Sequence, residues 1–256
     1  MGIDKIIIYD NNEIKDEKFE LVLNDYIDKK FVEIINIRGK DIKQYKVFED
    51  CRKNNFKKFD WILFYDMDEF LFLRNYTNIK DYLNQKHFDK CQRIQLNWFI
   101  HTDNNLLYYD DRKLKERFPK KKYIMNGKKL PGSRLIKSIL KGNIEMKIID
   151  VHQLNPKLIT CNGFGKIVEY RGIRTNDTDH YYYYIDHYWS KSTEEFVNKL
   201  MKGDAILRNN LTKIKKNNLL RISMYFKYNR ITLDKINYIE RKMKYNLTKY
   251  RKRIQW

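Results

Sequence analysis

The sequence of 256 residues has little of what marks several structural classes. Its 9 glycines and 3 prolines are too few for collagen-like or proline-rich architectures. No apolar run approaches the roughly 18 residues that a membrane-spanning helix needs. The first residues, Met1 to Tyr9, lack the apolar core of a signal peptide. These absences predict a soluble protein without a membrane span.

Cysteine is also scarce, and its three positions are scattered. Cys51, Cys91 and Cys161 form no C-x-x-C pair. An odd, dispersed set argues against a disulfide scaffold and against a structural zinc site. We therefore expect a reducing compartment and a cytoplasmic location.

Acidic residues are outnumbered, with 33 Asp and Glu against 53 Lys and Arg and a net charge of +20. Residues 205–256 hold 15 of the basic residues against only Asp234 and Glu240. Such an excess first suggests a polyanionic partner such as nucleic acid, acidic lipid or phosphates. The alternative is a solvated helical face with no partner.

What the chain does contain is an alternation of strand and helix patterns. Short apolar runs predict strands, and apolar residues at helical spacing between them predict helices. Strand–helix–strand order is typical of a parallel sheet with crossover helices. The predicted strands cover residues 3–9, 31–37, 61–65, 93–100, 135–140, 144–151 and 181–189. Ser192 and Glu195 form a capping box that begins a helix, and 205–256 is predicted as basic helix.

The strongest chemical motif is Asp66-Met67-Asp68-Glu69, which directly follows the apolar run at 61–65. Parallel sheets place ligand sites beyond the carboxyl ends of their strands. In an extended segment Asp66 and Asp68 point to the same side and can share one target. Two carboxylates suit Mg²⁺ or Mn²⁺, with a diphosphate completing the coordination. The alternative is a polar cap between strand and loop.

Two weaker candidates for a ligand contact are Asp10 with Asn11, and Trp98. Asp10 and Asn11 end the first strand and can contact a nucleoside, although Asp-Asn is also ordinary turn chemistry. Trp98 can stack on a sugar ring or a base, or it can be a core residue.

A histidine and a lysine complete the candidates. His187 can be a third metal ligand beside two carboxylates, or a structural histidine. His152 and His180 are weaker alternatives as ligands. Lys191 can pair with phosphate oxygens, because an ammonium group is a compact charge.

Together these motifs resemble the GT-A-type glycosyltransferases, and most specifically glycosyltransferase family 92 and its family-2-like relatives. The resemblance covers roughly residues 2–204. Its most specific part is D-x-D-E-F followed by the late H-Y-x-x-K-S-x-E-E-F. The matching positions are Asp10-Asn11, Asp66-Met67-Asp68-Glu69-Phe70, Asn97-Trp98, Glu116-Arg117-Phe118, Lys137-Ser138 and the segment 187–196.

The resemblance implies transfer of a sugar from a nucleotide-sugar donor, a UDP-sugar, to a glycan or glycolipid, with inversion. Asp66 and Asp68 would hold a divalent metal, usually Mn²⁺, and His187 would contact the metal or the diphosphate. Asp10 would contact the nucleoside. An acidic side chain would deprotonate the acceptor hydroxyl, with Asp103 as the first candidate and Glu69 as the second.

The resemblance also predicts the organisation of the chain. Residues 1–204 would form an α/β, GT-A-like catalytic domain with a mostly parallel sheet flanked by helices, lacking the strand–helix unit that usually precedes it. Residues 205–256 would form a basic helical extension that contacts anionic membranes peripherally. One alternative is a nucleic-acid-binding protein or metal nuclease, which is the weaker interpretation of the positive charge. The other is a catalytically inactive binding module.

Overall fold

The computed structural model describes residues 2–12, 18–40, 42, 44–145, 157–202 and 211–254, with side chains in the last range from residue 214 onward. His152 and most of the strand predicted over 144–151 lie outside the described residues. The chain divides into two compact units. Unit 1 comprises 1–64, 72–96 and 136–184, and unit 2 comprises 65–71, 97–135 and 185–256.

The elements alternate much as the sequence predicts. The strands are β1 (Ile6–Asp10), β2 (Val32–Asn36), β3 (Trp61–Leu63), β4 (Glu69–Leu73), β5 (Arg93–His101), β6 (Lys121–Lys122), β7 (Ile124–Met125), β8 (Lys128–Lys129), β9 (Ile136–Lys141), β10 (Thr160–Cys161) and β11 (Tyr183–His187). The α-helices are α1 (Glu20–Asp28), α2 (Gln44–Asn54), α3 (Ile79–Leu83), α4 (Leu114–Arg117), α5 (Thr193–Lys202), α6 (Leu211–Tyr228), α7 (Leu233–Met243) and α8 (Thr248–Arg251). Short 3₁₀ helices lie at Lys86–Phe88 and Pro131–Arg134.

The sheet arrangement is mixed. One sheet has the strand order β3-β9-β5-β11-β4, with β10 and β6 also pairing with β5, and the unit boundary falls within β4, β5 and β11. β5 pairs in parallel with β10 and β11, whereas β6 is antiparallel to β5 and β3 is antiparallel to β9. The α/β class is therefore confirmed, but the mostly parallel GT-A sheet is not confirmed.

Within unit 1, β1 and β2 form a separate parallel pair in register from Ile6↔Val32 to Asp10↔Asn36. Among the described residues they do not hydrogen-bond to β3, as one continuous doubly wound sheet would require. A hydrophobic cluster that includes Phe48 and Phe64, stacked with ring centroids 4.6 Å apart, fills this unit.

The cysteine prediction is wrong for two of the three residues. Cys91 and Cys161 form a disulfide with their Cα atoms 5.8 Å apart, and Cys51 is free. The cause is strand pairing, because β10 aligns Cys161 with Ile94 of β5 and so brings together positions 70 residues apart. Disulfides persist in oxidising compartments, so the cysteines no longer argue for a reducing one.

Within unit 2, the four helices described after β11 share one hydrophobic cluster. It includes Phe196 of α5, Tyr225 of α6, Ile239 of α7 and Tyr250 of α8. Phe196 and Tyr225 stack with centroids 4.4 Å apart. The helices predicted beyond residue 204 thus bury their apolar faces together with α5. Where the chain is described, none of its helices combines the length and the apolar character that a membrane span requires.

Candidate functional site

The D-x-D motif lies in a turn between β3 and β4, not in the extended segment that the sequence predicts. The backbone N–H of Glu69 donates to the carbonyl oxygen of Asp66 at 3.0 Å, and the Glu69 carboxylate accepts from the Asp66 N–H at 3.2 Å. Met67, between the two aspartates, is 72% exposed, whereas Asp68 is buried. Asp66 is half-buried, so the turn gives the two aspartates different exposures.

Asp68 is the centre of the site. Its carboxylate lies 3.5 Å from Nε2 of His187 and accepts from Nζ of Lys199 at 3.0 Å. Its backbone carbonyl accepts from the N–H of Tyr188 at 2.9 Å. Burial favours the neutral acid, but the hydrogen bond from His187 and the charges of Lys199 and Lys191 outweigh it, so the pKa of Asp68 lies well below its usual value. Asp68 is therefore a buried carboxylate that stays ionised.

His187 ends β11, which pairs in parallel with β5 so that His187 aligns with Ile100. Its imidazole is buried against Trp98, with ring centroids 4.1 Å apart. Burial lowers the pKa of His187, and the negative charges of Asp68 and Asp66 only partly oppose it. Among the described residues, its buried Nδ1 has no hydrogen-bond partner. The geometry thus presents a neutral imidazole beside an ionised carboxylate.

Helix α5 brings Lys199 to Asp68, and its start is firmly fixed. The predicted capping box is confirmed, since the Ser192 hydroxyl accepts from the Glu195 N–H at 3.2 Å and the Glu195 carboxylate accepts from the Ser192 N–H at 3.2 Å. Arg117 donates to both oxygens of Glu195, at 2.8 and 3.3 Å. Lys199 follows Glu195 by four residues, so both lie on one face of the helix.

Lys191 lies in the loop between β11 and α5. Its φ of 50° is in the left-handed region, which is uncommon for a residue other than glycine. Its positive charge contributes to the low pKa of Asp68. Lys191 therefore lies near enough to Asp68 to act on its pKa, and the charge of Asp66 acts in the same way on the pKa of His187.

The side chains present can be compared with what a divalent cation needs. Carboxylates and a neutral imidazole are donors that suit Mn²⁺. Among the described residues the buried Nδ1 of His187 has no hydrogen-bond partner, so this nitrogen is available to a ligand. Within the described ranges, no group of three or more His, Cys, Asp or Glu side chains is already arranged to hold a metal ion. The ammonium of Lys199 takes one oxygen of Asp68 instead. The donor chemistry fits, although a closed three-ligand group is not formed.

Asp103, the first candidate base, lies in a sealed environment. It is 1% exposed, and one carboxylate oxygen accepts from Tyr225 and pairs with Lys235, each at 2.5 Å. Its other oxygen accepts from the N–H of Asn105 at 2.9 Å. Burial lowers the pKa of Lys235 although Asp103 opposes the shift, and burial with the charge of Asp103 raises the pKa of Tyr225. These contacts describe a structural ion pair, and the role as a base stays a prediction.

The second candidate base, Glu69, is part of the D-x-D turn and is also buried. Asp10 lies in unit 1, where its buried carboxylate accepts from Nε of Arg38 at 2.6 Å and from the N–H of Asn12 at 3.0 Å. Asn11 is exposed beside it. His180, one of the weaker alternative ligands, is also part of unit 1.

Lys199 is the residue that sequence reasoning missed. It contacts Asp68 across 131 residues of chain, and a lysine in a basic protein is not distinctive by itself. The available signal was its position four residues after Glu195, on the helix that the capping box begins.

Comparison with known proteins identifies a family for this chain. The sequence profile of glycosyltransferase family 92 matches residues 1–222, which is most of the chain. A search of curated proteins finds no match. The matched region contains the D-x-D turn, the end of β11 and helix α5. The chain belongs to glycosyltransferase family 92.

Proposed function

We propose that this protein is a metal-dependent glycosyltransferase that moves a sugar from a nucleotide-sugar donor, a UDP-sugar, to a glycan or glycolipid acceptor with inversion. One observation carries the proposal: the ionised, buried Asp68 lies between the neutral His187 and the ammonium of Lys199. A carboxylate held in this state is suited to a divalent cation, and the cation can in turn bind a diphosphate.

In the proposed reaction, an acceptor hydroxyl oxygen bonds to the anomeric carbon while the bond from that carbon to the donor diphosphate breaks. UDP leaves, and the hydroxyl proton passes to a carboxylate of the protein. A divalent cation held by Asp66, Asp68 and His187 would offset the negative charge that develops on the leaving diphosphate. Lys191 would bind a diphosphate oxygen directly.

Of the two candidate bases, Glu69 is the one to test first. Both oxygens of Asp103 are already engaged, by Lys235, Tyr225 and Asn105, and the residue is 1% exposed. Glu69 lies in the same turn as Asp68. A Glu69→Gln variant should therefore lower turnover while keeping UDP binding, since only the proton acceptor is removed.

Trp98 takes a positioning role in this proposal. Its ring packs on the imidazole of His187, which fixes the orientation of a proposed ligand. The nucleoside contact of Asp10 and Asn11 stays a prediction from the family resemblance. In the described structure the carboxylate of Asp10 is paired with Arg38.

We further propose that the C-terminal helices bring the enzyme to anionic membranes mainly by charge. Apolar side chains of α7 such as Ile236 and Ile239 are buried in the protein's own core, and Leu220 and Leu233 are exposed as separate side chains. Exposed basic side chains remain, including Lys242, Lys249 and Lys252. Vesicle binding should therefore need anionic lipid and should weaken steeply as salt is raised.

The test of the transferase proposal is UDP release from UDP-galactose, UDP-glucose and their N-acetylhexosamine counterparts, with Mn²⁺ and with EDTA. We expect Mn²⁺-dependent release with at least one donor. Asp234→Asn, which changes an exposed carboxylate in the first turn of α7, is the matched control for Asp68→Asn. Equal release by wild type and Asp68→Asn would refute the proposal, and UDP binding without any turnover would favour an inactive binding module.

A further inference from the structure

We propose that unit 1 carries a second binding site, one for a neutral sugar residue, in a cleft at the start of β3. The cleft has a volume of about 670 Å³, and all of its lining residues belong to unit 1. Small-molecule sites commonly have volumes of roughly 300–1,000 Å³. The cleft is therefore large enough for one or two sugar rings.

Aromatic carbon provides part of the lining. Phe59 and Trp61 are half-buried in this lining, and Phe88, which also belongs to it, is fully buried. The face of an aromatic ring carries negative charge density, so it packs well on the positive C–H groups along one face of a sugar ring. A partly exposed tryptophan in a cleft of this size is suited to that contact.

Hydrogen-bonding side chains provide the rest. Asp60, Asn84 and Asn143 line the cleft and are exposed. A carboxylate accepts hydrogen bonds, and an amide both donates and accepts. Sugar hydroxyls also do both, so this combination matches a polyhydroxyl ligand better than a purely apolar one.

The charge balance selects a neutral ligand. Lys57 and Lys141 are offset in the lining by Asp60 and Asp89, within a chain whose net charge is +20. The ammonium of Lys141 already donates to the backbone carbonyl of Asp89 at 2.7 Å and lies 5.5 Å from the centre of the Trp61 ring. A phosphate or an acidic sugar would find no excess of positive charge here.

The walls are held in place before any ligand binds. The N–H of Lys57 donates to the carbonyl of Gly142 at 3.0 Å, and the N–H of Gly142 donates to the carbonyl of Asp60 at 2.8 Å. A Cβ at Gly142 would lie 1.8 Å from the carbonyl oxygen of Phe59, so only glycine permits this close approach. A preformed site loses less conformational entropy on binding.

The experiment applies the full-length protein to an array of neutral, sialylated and sulfated oligosaccharides. We expect retention on neutral members only. The signal should fall at least tenfold in Trp61→Ala and Asn143→Ala and persist in Trp61→Phe. Asn143 has an exposed side chain, so its variant tests the site even if Trp61→Ala folds poorly.

Asp68→Asn separates this site from the proposed donor site, because it should keep the array signal while losing Mn²⁺-dependent turnover. The proposal would be overturned if the protein bound none of the oligosaccharides or only the acidic ones. An unchanged signal in Asn143→Ala would overturn it as well. Failure of the donor assay with an intact array signal would contradict only the proposed transfer reaction.

Discussion

Two buried carboxylates of unit 2, Asp68 and Asp103, each pair with a lysine, but the two lysines differ in exposure. The side chain of Lys199, beside Asp68, is 46% exposed, whereas that of Lys235, beside Asp103, is 2% exposed. We call the partly exposed Asp68–Lys199 pair the open pair and the buried Asp103–Lys235 pair the sealed pair. The sealed pair contributes to stability, while the open pair can exchange its lysine for a ligand.

The remaining partners of the two carboxylates point the same way. Besides its lysine, Asp103 accepts hydrogen bonds from the hydroxyl of Tyr225 and from the N–H of Asn105. Both oxygens of its carboxylate therefore have partners within the protein. Asp68 has His187, whose buried Nδ1 lacks a partner among the described residues. Incomplete satisfaction next to an ionised group is a feature of ligand sites more than of cores.

The largest effect should follow from opening the sealed pair. Lys235→Met leaves the charge of Asp103 buried without its cation, which should lower the free energy of unfolding by about 3–5 kcal/mol. Urea denaturation followed by circular dichroism measures this. Lys242→Met, on the exposed face of the same helix, is the matched control and should change little. Equal losses in the two variants would show that the Asp103 pair is not a stability element.

Neutralising Asp68, the carboxylate of the open pair, should lower activity more than stability. Asp68→Asn removes the charge that holds the proposed cation, so UDP release should fall by about 100-fold or more. The free energy of unfolding should fall by less than in Lys235→Met, because the ammonium of Lys199 is partly exposed and can turn to water. A stability loss as large as that of Lys235→Met would place Asp68 in the structural class instead.

A smaller effect is expected from trimming the sealed cluster. Tyr225→Phe removes the hydroxyl that donates to Asp103 at 2.5 Å and contacts Thr193 at 2.8 Å. Loss of a hydrogen bond to a charged group should cost about 1.5–3 kcal/mol of unfolding free energy. Affinity for UDP and Mn²⁺, measured on the folded protein, should be unchanged. Weaker ligand binding in this variant would mean that the two clusters are coupled.

The smallest effect concerns the lysine of the open pair. In Lys199→Met the ammonium no longer competes for Asp68, so Mn²⁺ alone should bind about three- to tenfold more tightly, which corresponds to about 1 kcal/mol for a partly exposed pair. Titration of Mn²⁺ followed by electron paramagnetic resonance gives the affinity. Lys202→Met, on the same helix, is the control. Unchanged or weaker Mn²⁺ binding in Lys199→Met would contradict exchange at Asp68.

Local patterns predict much of this fold. The apolar run at 93–100 is β5 almost residue for residue, and the capping box at Ser192 begins α5 as expected. The run at 61–65 is a shorter strand, because the chain turns at Asp66 to lead into β4, which the sequence did not predict. These features depend on neighbouring residues, and a periodicity or a capping motif contains that information.

Features that depend on distant residues were not predictable. Lys199 meets Asp68 across 131 positions, and the Cys91–Cys161 disulfide spans 70. Such contacts are set by which strands pair and in which register, and a single sequence does not state this. The separate β1–β2 pair is a third example, since two strands that look like the start of one sheet form their own.

The most direct test of the central claim, that the Asp68 cluster is a metal-dependent nucleotide site, is calorimetric titration of UDP into the full-length protein. We expect UDP to bind in the presence of Mn²⁺. EDTA and Asp68→Asn should each abolish this binding, and Tyr225→Phe should leave it intact. UDP binding of equal strength with and without Mn²⁺, or equal binding by wild type and Asp68→Asn, would contradict the claim.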